Sequence, residues 1–142
     1  MIGAAVGCAV VLPLAAAAAI FALRIQRLAG IIALAVMAAL VVLVAFAAVR
    51  VHERGPQFAF DDWVYIDSLS VIILALTTLV GFFGVLNSLA YVEGEVAEGK
   101  LRESDRSRYF ALLLAFIATM VAVPVLNNIG IIWVAIEATT VV

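Results

Sequence analysis

Four long apolar runs, residues 2–23, 28–49, 66–91 and 109–126, constrain this chain more than any other feature. Each is close to the ~20 residues that a helix needs to cross a hydrocarbon core of about 30 Å. Apolar side chains make up 68% of the sequence and charged ones 13%, against roughly half and a quarter in soluble domains. A fold of this length cannot hide so much apolar surface from water, so the bilayer is its solvent. A transmembrane strand needs only about 9–11 residues, so runs of this length are read as transmembrane helices. The first two are rich in alanine and β-branched residues without a polar stripe, and so are hydrophobic all round.

The remaining composition excludes several classes of function. A net charge of −2 is too small to attract a nucleic acid or another polyanion. Cys8 is the only cysteine, so neither an intrachain disulfide nor a thiolate metal cluster can form; it is expected as a small packing residue. The alanine-rich N-terminus has no basic n-region and its apolar run is too long for a signal peptide, which makes it a retained span. No metal-ligand spacing, cofactor motif, nucleotide loop or hydrolase constellation is found.

Between the second and third runs lies "RVHERGPQFAFDDWVYIDSLS". Gly55-Pro56 signals a turn, and the aromatic, partly alternating centre predicts a short extended segment or hairpin at the membrane interface. Trp63 and Tyr65 belong at headgroup depth, as in aromatic belts. Asp67 is expected to cap the third helix with its side-chain oxygen. His52, beside Glu53 and Arg54, reads as an interfacial histidine and not a ligand. The charged stretch "VEGEVAEGKLRESDRSR" reads as a solvated connector with a helical turn, or as a docking surface for a soluble partner.

Basic residues set the orientation. Arg24 and Arg27 fall on the same side as Lys100, Arg102, Arg106 and Arg108, whereas the other side carries Arg50 and Arg54. The first and third loops are therefore expected in the cytoplasm of a cell with an inner (plasma) membrane. The N-terminus and the aromatic segment then face outward. Weaker signals are Gly3-x-x-x-Gly7, which reads as a chance spacing, and Gly81 and Gly84, which permit close helix approach. Pro13 and Pro124 are candidate kink points. Asn87 and Ser88 are expected near interfacial water.

A fifth helix begins at Asn127-Asn128 and continues through "IGIIWVAIEATTVV". At about 1.5 Å per residue, Glu137 lies roughly 14 Å along it, near the bilayer midplane. A carboxylate at that depth costs several kcal/mol and is kept in membranes for ion pathways and relays. The bland alternative is a side chain that reaches water near a chain end. Thr139 and Thr140 either hydrogen-bond a neighbouring helix or satisfy carbonyls of their own helix. Residues 129–142 span about 21 Å of helix against roughly 30 Å of hydrocarbon, so a continuation, or a neighbour covering the end, is expected.

"NNIGIIWVAIEATTVV", preceded by "IDSLS", "GFFGVLNSLAYVEGEVAEGKL" and "YFALLLAFIATMVAV", resembles the start of hydrogenase-4 component F. That family belongs to the antiporter-like subunits of respiratory complex I and of membrane-bound hydrogenases. The resemblance covers about residues 61–142 and is strongest at Trp133 and the "IEATT" that follows. Ile136 stands where the large subunit of complex I typically has tryptophan, which favours the hydrogenase-type branch. The resemblance implies an all-α membrane protein with four transmembrane helices, an incomplete fifth and an outward hairpin between helices two and three. It implies that Glu137 is a principal residue of proton translocation; Thr139, Thr140, Asn127 and Asn128 are candidate supporting polar residues read from their places on and before the same helix. It further implies partnership with other membrane subunits of a redox-driven complex, including a chain that supplies the missing helices. Electron transfer is then done elsewhere, and no cofactor or metal belongs to this chain. The competing expectation is a non-transporting membrane scaffold, a truncated relative that holds neighbours or lipid.

Overall fold

The computed structural model describes residues 2–141. Helix α1 (Ile2–Leu23) is followed by α2 (Ala29–Arg54), then by strands β1 (Gln57–Ala59) and β2 (Val64–Ile66). Helices α3 (Ser68–Ala97) and α4 (Glu103–Ala122) come next, then a 3-10 turn (Val123–Val125) and α5 (Ile129–Val141). Four helices, the fourth counted through the turn, are long and apolar enough to cross a membrane, and the fifth is shorter.

The four long helices form a bundle in which α1 packs against α4 and α2, α2 against α3, and α3 against α4. Its core is built from Ile20, Met37, Leu40, Leu74, Val85, Phe110 and Leu114, all essentially inaccessible. Apolar attraction between helices is weak in lipid, so close fit has to hold the bundle together. Gly30 shows that fit. A Cβ there would run into the Leu89 side chain of α3 and lie 3.1 Å from the Phe110 ring of α4, so any larger residue would force both neighbours to shift. Gly81 is similar, with the Met37 methyl 2.8 Å from where its Cβ would be. Gly84 faces open space within 4 Å, so the expected close approach holds at one of the two glycines only.

The helices outrun the apolar segments. Helix α2 continues through Arg50 and His52 to Arg54, and α3 continues through "VEGEVA" to Ala97. The charged connector is thereby reduced to residues 98–102, because glutamate and alanine sustain a helix as well in water as leucine does in lipid. Lys100 Nζ sits 2.6 Å from Glu98 and 3.6 Å from Glu95, and these carboxylates raise its pKa above the ordinary lysine value, the Glu98 hydrogen bond contributing most. Pro124 does not kink a span but ends one, at the 3-10 turn, since it cannot donate to the helix ladder. Pro13 is buried within an α1 that runs on past it.

The hairpin forms where the aromatic segment predicts it, with β1 and β2 antiparallel and Phe58 opposite Tyr65. Its tip holds Phe60, Asp61 and Asp62 at φ of 54°, 51° and 66°, a left-handed conformation that aspartate tolerates and phenylalanine does not favour. The seat explains the strain. Gly3 faces Ala59, whose Cβ is 2.7 Å from a Cβ built on the glycine, and Gly7 faces the Phe60 ring at 3.2 Å. The Gly3-x-x-x-Gly7 spacing is therefore a seat for the hairpin on α1, not chance. Asp67 caps α3 by accepting from Ser70 N (2.8 Å) and Ser70 Oγ (2.9 Å). These hydrogen bonds, the backbone one foremost, hold its carboxyl below the ordinary aspartate range.

Candidate functional site

The site predicted from sequence lies on α5, and each of its residues has a definite place. Asn127 closes the junction before the helix: its N–H donates to Trp63 O at 2.9 Å and its Nδ2 to Asp62 O at 2.9 Å. Asn128 caps the helix, its Oδ1 accepting from Gly130 N (3.0 Å) and Ile131 N (3.3 Å). The two asparagines tie the hairpin tip to the start of α5. They stand about two and a half turns or more from Glu137, roughly 14 Å along the axis. At the far end, Thr139 Oγ donates to Ile136 O (2.6 Å) and Thr140 Oγ to Glu137 O (2.7 Å). Both hydroxyls thus satisfy their own helix, the second of the two readings open from sequence. The fold does not gather the five residues around one point.

Helical phase sets Glu137 apart. The partly covered residues of α5 are Ile131, Ile132, Ala135, Ala138 and Thr139, one stripe at the spacing of a helix face. This stripe packs against α4 and the turn that follows it. Glu137 lies about 200° around the axis from Ala135, on the opposite face. It is exposed there together with Gly130, Trp133 and Thr140. Trp133 precedes it by four residues, so the indole lies one turn before the carboxylate on the same face. Gly130 belongs to that face as well. Sequence reasoning passed over it, although its spacing of seven from Glu137 is a two-turn repeat.

No other titratable side chain of the described residues shares this face of α5. The single lysine, Lys100, is held by glutamates in the α3–α4 connector. A carboxylate on an apolar helix, turned away from its own bundle, takes hydrogen bonds or a proton from whatever meets that face, water or a neighbouring helix.

Two further polar positions were expected near water. Asn87 is exposed and donates from Nδ2 to Phe83 O at 2.8 Å. Ser88 instead is buried, donating to Gly84 O (2.7 Å) and pairing with Tyr109 OH at 2.8 Å. With its one proton given to Gly84, Ser88 accepts from the tyrosine, which links α3 to α4. Cys8 is exposed on α1, not packed inside. His52 is exposed on the last turn of α2.

These features define a multi-pass α-helical membrane protein with one carboxylate on a short helix outside its four-helix bundle. No family model matches the chain. A hydrogenase-4 component F homolog from Methylacidiphilum infernorum (isolate V4) is 32% identical over 75 residues, 53% of this chain. The match takes in 16% of that relative's length, so the chain corresponds to a small part of it.

Proposed function

We propose that this chain is part of a proton- or cation-translocating, antiporter-like membrane subunit of a redox-driven complex, of the complex I or membrane-bound hydrogenase kind. Glu137 is its titrating carboxylate. The observation that carries the reading is the position of Glu137 on the α5 face turned away from α4. A carboxylate facing lipid at that depth is costly, whereas one facing a hydrated cavity or a cationic partner is stabilised. The likeness to a hydrogenase-4 component F homolog supports the same reading. The partners are other membrane subunits, among them a chain or segment whose helices cover α5, and electron transfer belongs to those subunits. Asn127 and Asn128 position α5, and the threonines complete its last turn.

The test is the number of ions moved per electron transferred in the assembled complex. Glu137→Gln keeps shape and hydrogen bonding but removes the titratable proton, so assembly survives and the ratio falls. Glu137→Asp retains part of the ratio. An unchanged ratio in Glu137→Gln would leave the chain as a non-transporting scaffold.

Orientation belongs to the same proposal. Six of the eight basic residues lie at the end of the bundle formed by the α1–α2 and α3–α4 connections, which the positive-inside bias places in the cytoplasm, with the N-terminus and hairpin outside. In a Cys8→Ala background, Ser104→Cys resists an impermeant thiol reagent applied to intact cells. Rapid labelling there would reverse the orientation.

A further inference from the structure

A recess of about 460 Å³ opens at the end of the bundle opposite the hairpin, between the α1–α2 turn and the start of α4. Arg24, Arg102 and Arg108 line it with Gln26 and Ser104, and Phe21 forms an apolar wall. The one acidic lining residue, Asp105, is turned to the backbone, its Oδ2 accepting from Arg102 N at 3.3 Å. Three of the chain's eight basic residues, Arg50, Lys100 and Arg106, have a carboxylate partner. Among the described residues the other five have none, and three of those five line this recess.

The backbone supplies an independent observation. Arg24 sits at φ 49°, and Ile25 N donates to Ile20 O at 3.2 Å across it. This is the helix-ending motif in which glycine is the usual residue, because a side chain in the left-handed conformation is disfavoured. The chain places an arginine there at a conformational cost, and its side chain lines the recess. Strain of that kind is characteristic of sites where the side chain has work to do.

We propose that this recess binds the phosphate of an anionic membrane phospholipid. The arginines hold the headgroup, and the exposed apolar side chains of Phe21, Leu23 and Leu28 beside the turn receive its acyl chains. Arginine presents a planar fork of donors that suits phosphate oxygens, and basic pockets between the ends of transmembrane helices are where such headgroups are held. The recess is remote from Glu137 and the proposal requires only that the bundle span a membrane.

The full chain, purified in detergent and stripped of lipid, is titrated with phosphatidylglycerol, with phosphatidylcholine of the same acyl chains, and with soluble glycerol 3-phosphate. Bound species are counted by native mass spectrometry. Phosphatidylglycerol is retained over phosphatidylcholine, and R24G and R108A each lower that preference by about five-fold, the effect of one basic residue at an anionic surface. R24G melts no lower than the parent, since glycine suits the left-handed turn, and R108A removes an exposed side chain on a helix. R54A, at the other end of the bundle, leaves the preference unchanged. Equal preference in the parent, R24G and R108A would overturn the proposal, as would glycerol 3-phosphate binding as tightly as the lipid, which would make this a site for a soluble phosphate.

Discussion

Helices α4 and α5 follow one another along the chain, are both apolar, and differ in what covers them. Helix α4 buries seven residues, from Ser107 to Val121, against α1, α2 and α3. Helix α5 buries none and carries Trp133 at 67% exposure on the face it shares with Glu137. In a bilayer, exposure of an apolar side chain is not a defect, because lipid is as apolar as the core. Exposure of a carboxylate is. The difference teaches that packing is best read from small residues and fit in α1–α4, and from the polar exception in α5.

That comparison is broken most directly by truncating one large side chain on each side of it. Phe110→Ala removes a fully buried ring from the bundle core and is expected to cost about 3 kcal/mol, the low end for a buried phenylalanine, since lipid weakens the transfer contribution. Trp133→Ala in the chain alone should stay within about 0.5 kcal/mol, as at an uncovered surface. Equilibrium unfolding in mixed micelles measures both. Comparable losses would mean that α5 is as much part of the core as α4.

The hairpin end offers a smaller test. Asp67→Ala removes the α3 cap and is expected to cost about 1 kcal/mol. Because the folded-state pKa of Asp67 is depressed, its contribution is fully present above the unfolded value and lost as pH falls through the lower folded one. Asp67→Asn still caps and abolishes that acid dependence, so unfolding followed from neutral pH to below the ordinary value of 3.8 separates the two variants. Smaller still is Ser88→Ala, which removes the link to Tyr109 and should cost about 0.6 kcal/mol, typical of hydrogen bonds between membrane helices. A larger loss than at Asp67 would show that polar pairing, not fit, holds α3 to α4.

Much of this was legible in the sequence, and the exceptions have physical causes. The spans, the hairpin and the Asp67 cap were readable because each rests on local signals: apolar length, alternation, and an oxygen before a helix. The ends of α2 and α3 were not, because hydropathy marks where the membrane ends while a helix stops only where its backbone must. The hairpin seat at Gly3 and Gly7 was hidden for another reason, since its partners Ala59 and Phe60 lie more than fifty residues away in the sequence. The tie between Asn127 and the hairpin tip was hidden in the same way. At the candidate site, the place of Glu137 on a fifth apolar helix was legible, and its direction relative to the bundle was not, because the rest of α5 is apolar all round and shows no preferred face until α4 is in place.

The central claim is that Glu137 gains and loses a proton while the assembled complex turns over. Infrared difference spectroscopy of the working complex reads this directly, through the C=O stretch of a protonated carboxyl group. A carboxyl band that changes with turnover in the parent and is missing in Glu137→Gln is the predicted result. Identical difference spectra from parent and variant would contradict the account.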